Sequence, residues 1–198
     1  MEQQYSPMMA ALGARRPDDG LADKLQLYGQ FVGSWDIDVD FHALDDSRRW
    51  NAVGEVHFDW VLQGTAIQDL FIIPARRLRR GDQPPEPWYR YGTTFRWYDP
   101  RIDAWHITFF DPLRSVEMHQ IARAVGRDIV QIGDDSLGIA RRWRFTEITG
   151  RSFKWLGEVS WDRGETWRLE LEMRARRVLP RAHRSAAPPR HFLRLGTT

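Results

Sequence analysis

The chemistry this chain could do begins with Asp69. It shares a face with Ile67, Phe71 and Ile73, and the opposite face of the same segment, Ala66, Gln68, Leu70 and Ile72, is also mostly apolar. An unpaired carboxylate there is desolvated, its pKa rises, and it becomes a general acid or base. Paired with one of the chain's 27 arginines, it is half of a buried salt bridge instead. Glu117 and His119 lie two apart, so a strand points them the same way, beside Ser115 and Ile121. Turned into a cavity, they form an acid–base pair that can shuttle a proton between two atoms of a ligand; turned to water, they are a surface pair. His106 is the remaining proton-transfer candidate. It alternates with Trp105, Ile107 and Phe109, and the more apolar face is expected inward, which puts His106 outside.

Binding residues follow from the aromatic content, 13% of the chain. Tyr89, Tyr91, Thr93, Phe95 and Trp97 fall on one strand face. With Phe58 and Trp60 from another strand, and with Trp105, this gives an expected ligand wall of Phe58, Trp60, Tyr91, Phe95, Trp97 and Trp105, suited to flat or polycyclic molecules. The same rings would serve as ordinary core. Arg144, with Arg90, Arg96 and Arg142, could take a carboxylate or phosphate if its strand turns it inward. His42 and His57 sit on polar faces and are expected to be solvated. No strand carries three His or carboxylates at ligand spacing, so no metal site and no cofactor are expected; a haem held by one His is the alternative. With no cysteine, a thiol nucleophile, a disulfide scaffold and cysteine-ligated metals are excluded. GxSxG, P-loop, dinucleotide and HExxH patterns are missing too.

These residues need elements to hold them. Residues 21–32 space Leu21, Leu25, Tyr28 and Val32 as an amphipathic helix that Gly33 ends. From there the period is two. Strands are expected at about 34–43, 50–62, 65–73, 89–98, 102–111, 114–124, 127–133, 140–148, 151–161 and 165–178, with turn residues such as Gln63-Gly64, Asp99-Pro100, Asp111-Pro112 and Asp162-Arg163-Gly164 between them. About 8–10 strands in simple succession, with no crossover helix, predict an all-β fold: one antiparallel up-and-down β-barrel with a short N-terminal helix, a two-sheet sandwich being the alternative. The domain is read as 21–178. It is flanked by a flexible segment at 1–20 and a basic tail at 179–198 expected to be disordered, and 74–88 is a Pro- and Arg-rich loop. Residues 1–173 hold 22 basic against 27 acidic side chains; seven arginines and no acid from Arg174 onward produce the overall +2. That distribution argues against nucleic acid as a partner. Nothing resembles a signal peptide or a membrane span, so a cytoplasmic protein with no membrane partner is expected.

The short helix followed by Gly33-Ser34-Trp35 at the opening of the meander resembles the lipocalin and calycin superfamily. The segment 98–111, YDPRIDAWHITFFD, is similar to a hairpin of uncharacterised bacterial lipocalin-like proteins. The resemblance covers roughly residues 25–178. It implies that Trp35 closes the bottom of the barrel with an Arg of the last strand, Arg168 or Arg174, stacked across it, and that the barrel is a cup for a small hydrophobic or aromatic molecule. Two functions then stand, and the expected cytoplasmic location tilts the reading to the first: a cofactor-free isomerase, cyclase or lyase working by proton transfer in the lumen, of the kind found in secondary metabolism. The alternative is a non-catalytic binder or carrier. Carboxylate and imidazole groups meeting in the lumen would mark the enzyme. The strand at 65–73, apolar on both faces, suggests a contact between copies, as in a homodimer, or cover by the N-terminal helix, and it supports a third reading, a structural or interaction module.

Overall fold

The structure, a computed structural model, describes residues 6–43, 49–80, 89–135 and 137–179. Residues 1–5, 81–88 of the Pro- and Arg-rich loop and 180–198 of the basic tail lie outside the described residues. The helix expected over 21–32 stops earlier, at Gly29. Gly33, with φ of 125° in a conformation that a side chain would strain, opens the first long strand, and alternation takes over from there.

The elements run α1 (Pro7–Leu12), β1 (Gly13–Ala14), α2 (Ala22–Gly29), β2 (Gly33–His42), β3 (Arg49–Val61), β4 (Ala66–Ile73), β5 (Arg90–Asp99), β6 (Ala104–Asp111), β7 (Val116–Val125), β8 (Asp128–Asp135), β9 (Ala140–Thr146), β10 (Ser152–Ser160) and β11 (Arg168–Arg177). Each strand from β3 to β11 pairs antiparallel with the one before it, β11 returns to pair with β2, and the circuit closes. The result is a closed antiparallel ten-stranded barrel, β2–β11, with β1 as an extra strand. The sequence expectation holds, and the two-sheet sandwich does not. Residues expected to form a loose lead-in have defined contacts: Ser6 caps α1 at the Met9 N–H, and Gly13 and Ala14 pair with Val61 and Trp60.

One end of the barrel is plugged. Leu25 and Tyr28 of α2, then Phe31 and Trp35, are all fully buried. Phe31 packs against Phe145 at 4.8 Å and Phe153 at 5.0 Å between ring centroids, and Tyr28 meets Trp105 edge-on at 4.8 Å. Each such pair is worth about 0.5–1.5 kcal/mol beyond the area it removes from water. The Arg across Trp35 is Arg177, not Arg168 or Arg174. Arg177 is the cross-strand partner of Trp35, and its guanidinium lies 4.1 Å from the ring centroid. It donates to the Gln30 and Val32 carbonyls at 2.6 and 2.7 Å and to the Gly150 carbonyl at 2.9 Å, so it caps the chain leaving α2 as well. Trp35 donates its indole N–H to the Phe31 carbonyl at 2.7 Å. Arg174 points outward to Asp40 and Glu172, and Arg168 stands at the other end of β11.

Candidate binding site in the barrel lumen

Above the plug the barrel is hollow. A cavity of about 310 Å³ runs from mid-barrel to the end where β2, β4, β6, β8 and β10 finish. Its walls are aromatic and aliphatic: Phe41, Phe58, Phe71, Phe109, Trp143 and Trp155, with Val56, Met118, Leu171 and Met173 between them. Two glycines keep side chains out of this wall's way. A Cβ on Gly92 would sit 2.6 Å from the Phe109 ring, and one on Gly157 would sit 2.8 Å from the Trp155 ring.

The floor is an ion pair. Asp69 of β4 and Arg96 of β5 are hydrogen-bonded and almost wholly buried, at 5% and 3% side-chain exposure. Three rings surround the guanidinium, with centroids 5.2 Å away for Tyr28, 5.4 Å for Phe58 and 5.9 Å for Phe145. The pair is incompletely satisfied: Asp69 Oδ1 and Arg96 Nε have no hydrogen-bond partner. Below it, Tyr28 accepts a 2.9 Å hydrogen bond from the Gln131 side chain. Burial pushes the Tyr28 phenol well above its ordinary 10.0. The neutral phenol is thus favoured in the fold and the phenolate in the unfolded chain. Stability from this group is complete below about pH 10 and falls as pH rises above it. In an alkaline titration followed at the phenolate absorbance, Tyr28 should stay silent until the barrel unfolds, and Tyr28→Phe should lessen the alkaline loss of stability.

The open end carries a charged rim of Arg90, Asp111, Arg114, Arg141 and Glu170. Arg141 is paired on both sides, with Asp135 at 2.9 Å and Glu170 at 2.6 Å. Asp111 is buried; its Oδ1 accepts the Leu113 N–H at 3.1 Å, and its Oδ2 has no partner. Burial raises its carboxyl pKa, against the pull of Arg90 and of neighbouring backbone N–H groups. Burial lowers that of Arg90, and the like charge of Arg114 lowers it further.

Of the proton-transfer candidates, only Asp69 lies in the lumen, and there it is one half of the salt bridge. Glu117 and His119 do sit side by side, 2.9 Å apart, but on the outer wall with more than half of each side chain exposed. His106 is outside as expected, stacked on Trp97 at 4.2 Å and 3.3 Å from Asp99. Among the described residues no His borders the cavity, so a haem would find no axial imidazole there, and no cluster of His and carboxylates suits a metal ion.

Of the six residues expected to form a ligand wall, one borders the cavity. Phe58 lines the cavity. Trp60 and Trp105 point inward but belong to the plugged end; a Cβ on Gly29 of α2 would sit 2.6 Å from the Trp60 ring. Tyr91, Phe95 and Trp97 are a correction: they lie on the outer wall, and Tyr91 and Trp97 are about two-fifths exposed. The inner face of β5 is Arg90, Gly92, Thr94, Arg96 and Tyr98, because Arg96 must reach Asp69 and the gap at Gly92 must admit Phe109. Arg144 is also outside, 3.2 Å from Glu158, which Arg142 holds bidentately at 2.7 and 2.9 Å. Trp143 and Trp155 were missed, although the alternation Arg141, Trp143, Phe145 against Arg142, Arg144 pointed to that wall.

No protein-family model matches the chain, and no curated protein matches it. Among solved structures it is similar to the crystal structure of Rv2717c from M. tuberculosis, with 14% identity, a TM-score of 0.55, and coverage of 82% of this chain and 99% of that one. The likeness is one of fold. It supports the barrel architecture and leaves chemistry to the residues themselves. No helix among the described residues is long and apolar enough to cross a membrane.

Proposed function

We propose that the chain is a lipocalin-like barrel that binds a small, largely apolar or aromatic molecule in its lumen. The observation that carries this is the aromatic-walled cavity of about 310 Å³, open at one end and floored by the Asp69–Arg96 pair. At roughly 30 Å³ per water, it has room for about ten waters, and so for a molecule of two or three fused rings. Rings and polar floor together fit the usual make-up of ligand sites, apolar walls with a few placed polar groups. The unpartnered Asp69 Oδ1 and Arg96 Nε favour a guest with its own polar edge, because unsatisfied buried polar atoms cost about 1–3 kcal/mol each.

Binding is favoured over turnover because Glu117, His119 and His106 are on the outer wall and Asp69 is committed to Arg96. The enzyme reading keeps one support, Asp111, a buried carboxylic acid with a raised pKa beside the lumen.

Native mass spectrometry of freshly purified protein, followed by denaturation and identification of what is released, is the direct test. A stoichiometric organic molecule is expected. Protein stripped of it should bind N-phenyl-1-naphthylamine one to one, quenching the fluorescence of Trp143 and Trp155. Leu171→Trp, which fills the lumen, should weaken that binding roughly tenfold or more, about 1.4 kcal/mol. Wild-type protein without saturable binding, or a filled variant that binds as well as wild type, overturns the proposal.

A further inference from the structure

Resting on the binding reading above, we propose that the guest is a neutral hydroxylated ring molecule, a phenol or its fused-ring equivalent, seated hydroxyl-first, with its O–H donating to Asp69 at the lumen floor and its oxygen open to the Thr94 hydroxyl.

The floor is where the lumen is polar and unfinished. Asp69 of β4 and Thr94 of β5 are cross-strand partners, so their side chains stand on the same face of the wall. Both are buried, and both border the cavity. The ion pair occupies one oxygen of Asp69, Oδ2, which accepts from Arg96 Nη1. The other, Oδ1, has no partner among the described residues, so Thr94 does not supply its donor either. A carboxylate oxygen only accepts, and what Oδ1 lacks is therefore an N–H or O–H. Arg96 Nε is unpartnered too, but three rings already face that cation. The carboxyl group turns about its Cβ–Cγ bond, a broad torsion, so Oδ1 can swing towards a guest while the ion pair holds.

Charge narrows the choice of guest. Asp69 and Arg96 cancel, so an ammonium or a carboxylate brought to the floor would leave a net charge inside a wall of rings, which is costly. A ketone or an ether is neutral but has no hydrogen to give. A ring N–H donates but accepts nothing in return. A hydroxyl is neutral, donates once and accepts from a neighbour, and Thr94 stands beside Asp69 to meet it. The rings behind the hydroxyl would then lie along Phe71, Phe109, Trp143 and Trp155 of the same cavity.

The test is competition for the lumen. N-phenyl-1-naphthylamine is displaced in turn by 2-naphthol, 2-methoxynaphthalene and 2-naphthoate, which share one ring body. Wild-type protein should bind 2-naphthol roughly tenfold more tightly than 2-methoxynaphthalene, although the ether is the more apolar of the two. It should also prefer naphthol to the naphthoate anion at neutral pH, again by roughly tenfold or more. Thr94→Val, which keeps the shape of the side chain, should narrow the lead of naphthol over the ether roughly threefold. Asp69→Leu/Arg96→Met, which removes both charges together, should abolish that lead while the ether still binds. Equal binding of naphthol and ether by wild type, naphthoate matching naphthol, or an undiminished lead in either variant at wild-type circular dichroism overturns the inference and leaves the binding reading intact. Wild-type protein without saturable binding of N-phenyl-1-naphthylamine overturns both.

Discussion

Asp69→Leu should destabilise the barrel by about 3–5 kcal/mol, read from urea unfolding followed by tryptophan fluorescence, because it strands a buried guanidinium. The partner is 3% exposed and walled by three rings, so water cannot replace the lost carboxylate without the barrel opening. Arg96→Met should cost a similar amount by stranding the carboxylate. The double variant Asp69→Leu/Arg96→Met should recover most of the loss, since neither charge is then left alone and the volumes are nearly kept. Single-variant costs that simply add in the double variant would show that the two residues are not one energetic unit.

Arg177→Ala should be the next most damaging change, at about 3 kcal/mol. Hydrogen bonds from a charged donor are worth roughly 1.5–3 kcal/mol each, and Arg177 makes three to carbonyls while stacking on Trp35. Partial solvent access lets water take over some of these, which keeps the sum well under the additive total. For a domain of this size, the thermal midpoint should fall by roughly 6–12 °C. Arg177→Lys should restore less than half of the difference, because one ammonium group can neither reach three carbonyls nor stack in a plane. A midpoint unchanged in Arg177→Ala would mean that Trp35 and α2 seal the barrel unaided.

Alternation made the strands of the barrel legible, and Gly33 marked where they begin, although the helix stops four residues earlier, at Gly29. Alternation divides a strand into two faces without saying which is inside. On β6 the apolar face Trp105, Ile107 and Phe109 was the inner one, as hydrophobicity suggests. On β5 the same logic failed, since the face with Tyr91, Phe95 and Trp97 is outside. What reversed it is a pairing between strands: Arg96 is inside because Asp69, 27 residues earlier, is inside. Arg177 is a different kind of miss. Leu171, Met173 and Ala175 face inward, so counting by two reaches Arg177 and passes over Arg174. Arg168 is set apart by position, since it pairs with Val159 at the end of β11 far from Trp35. The rim was illegible for a further reason, because Arg90, Asp111, Arg114 and Arg141 come from different strands and turns that only closure of the barrel brings to one circle.

The seam between β3 and β4 has a kinetic consequence. With β3 bonded on one side to β2 and on the other to β4, the wall has no gate that could part without breaking a ladder of backbone hydrogen bonds. With α2 seated in the far end, a guest of the proposed kind would travel along the axis, through the end that the described residues leave open. Such a vessel sorts its contents by cross-section before it sorts them by affinity: a molecule too broad for the aperture is refused however well its rings would stack inside. Exchange rates should therefore follow the girth of a guest, and equilibrium constants its chemistry, as two separate scales.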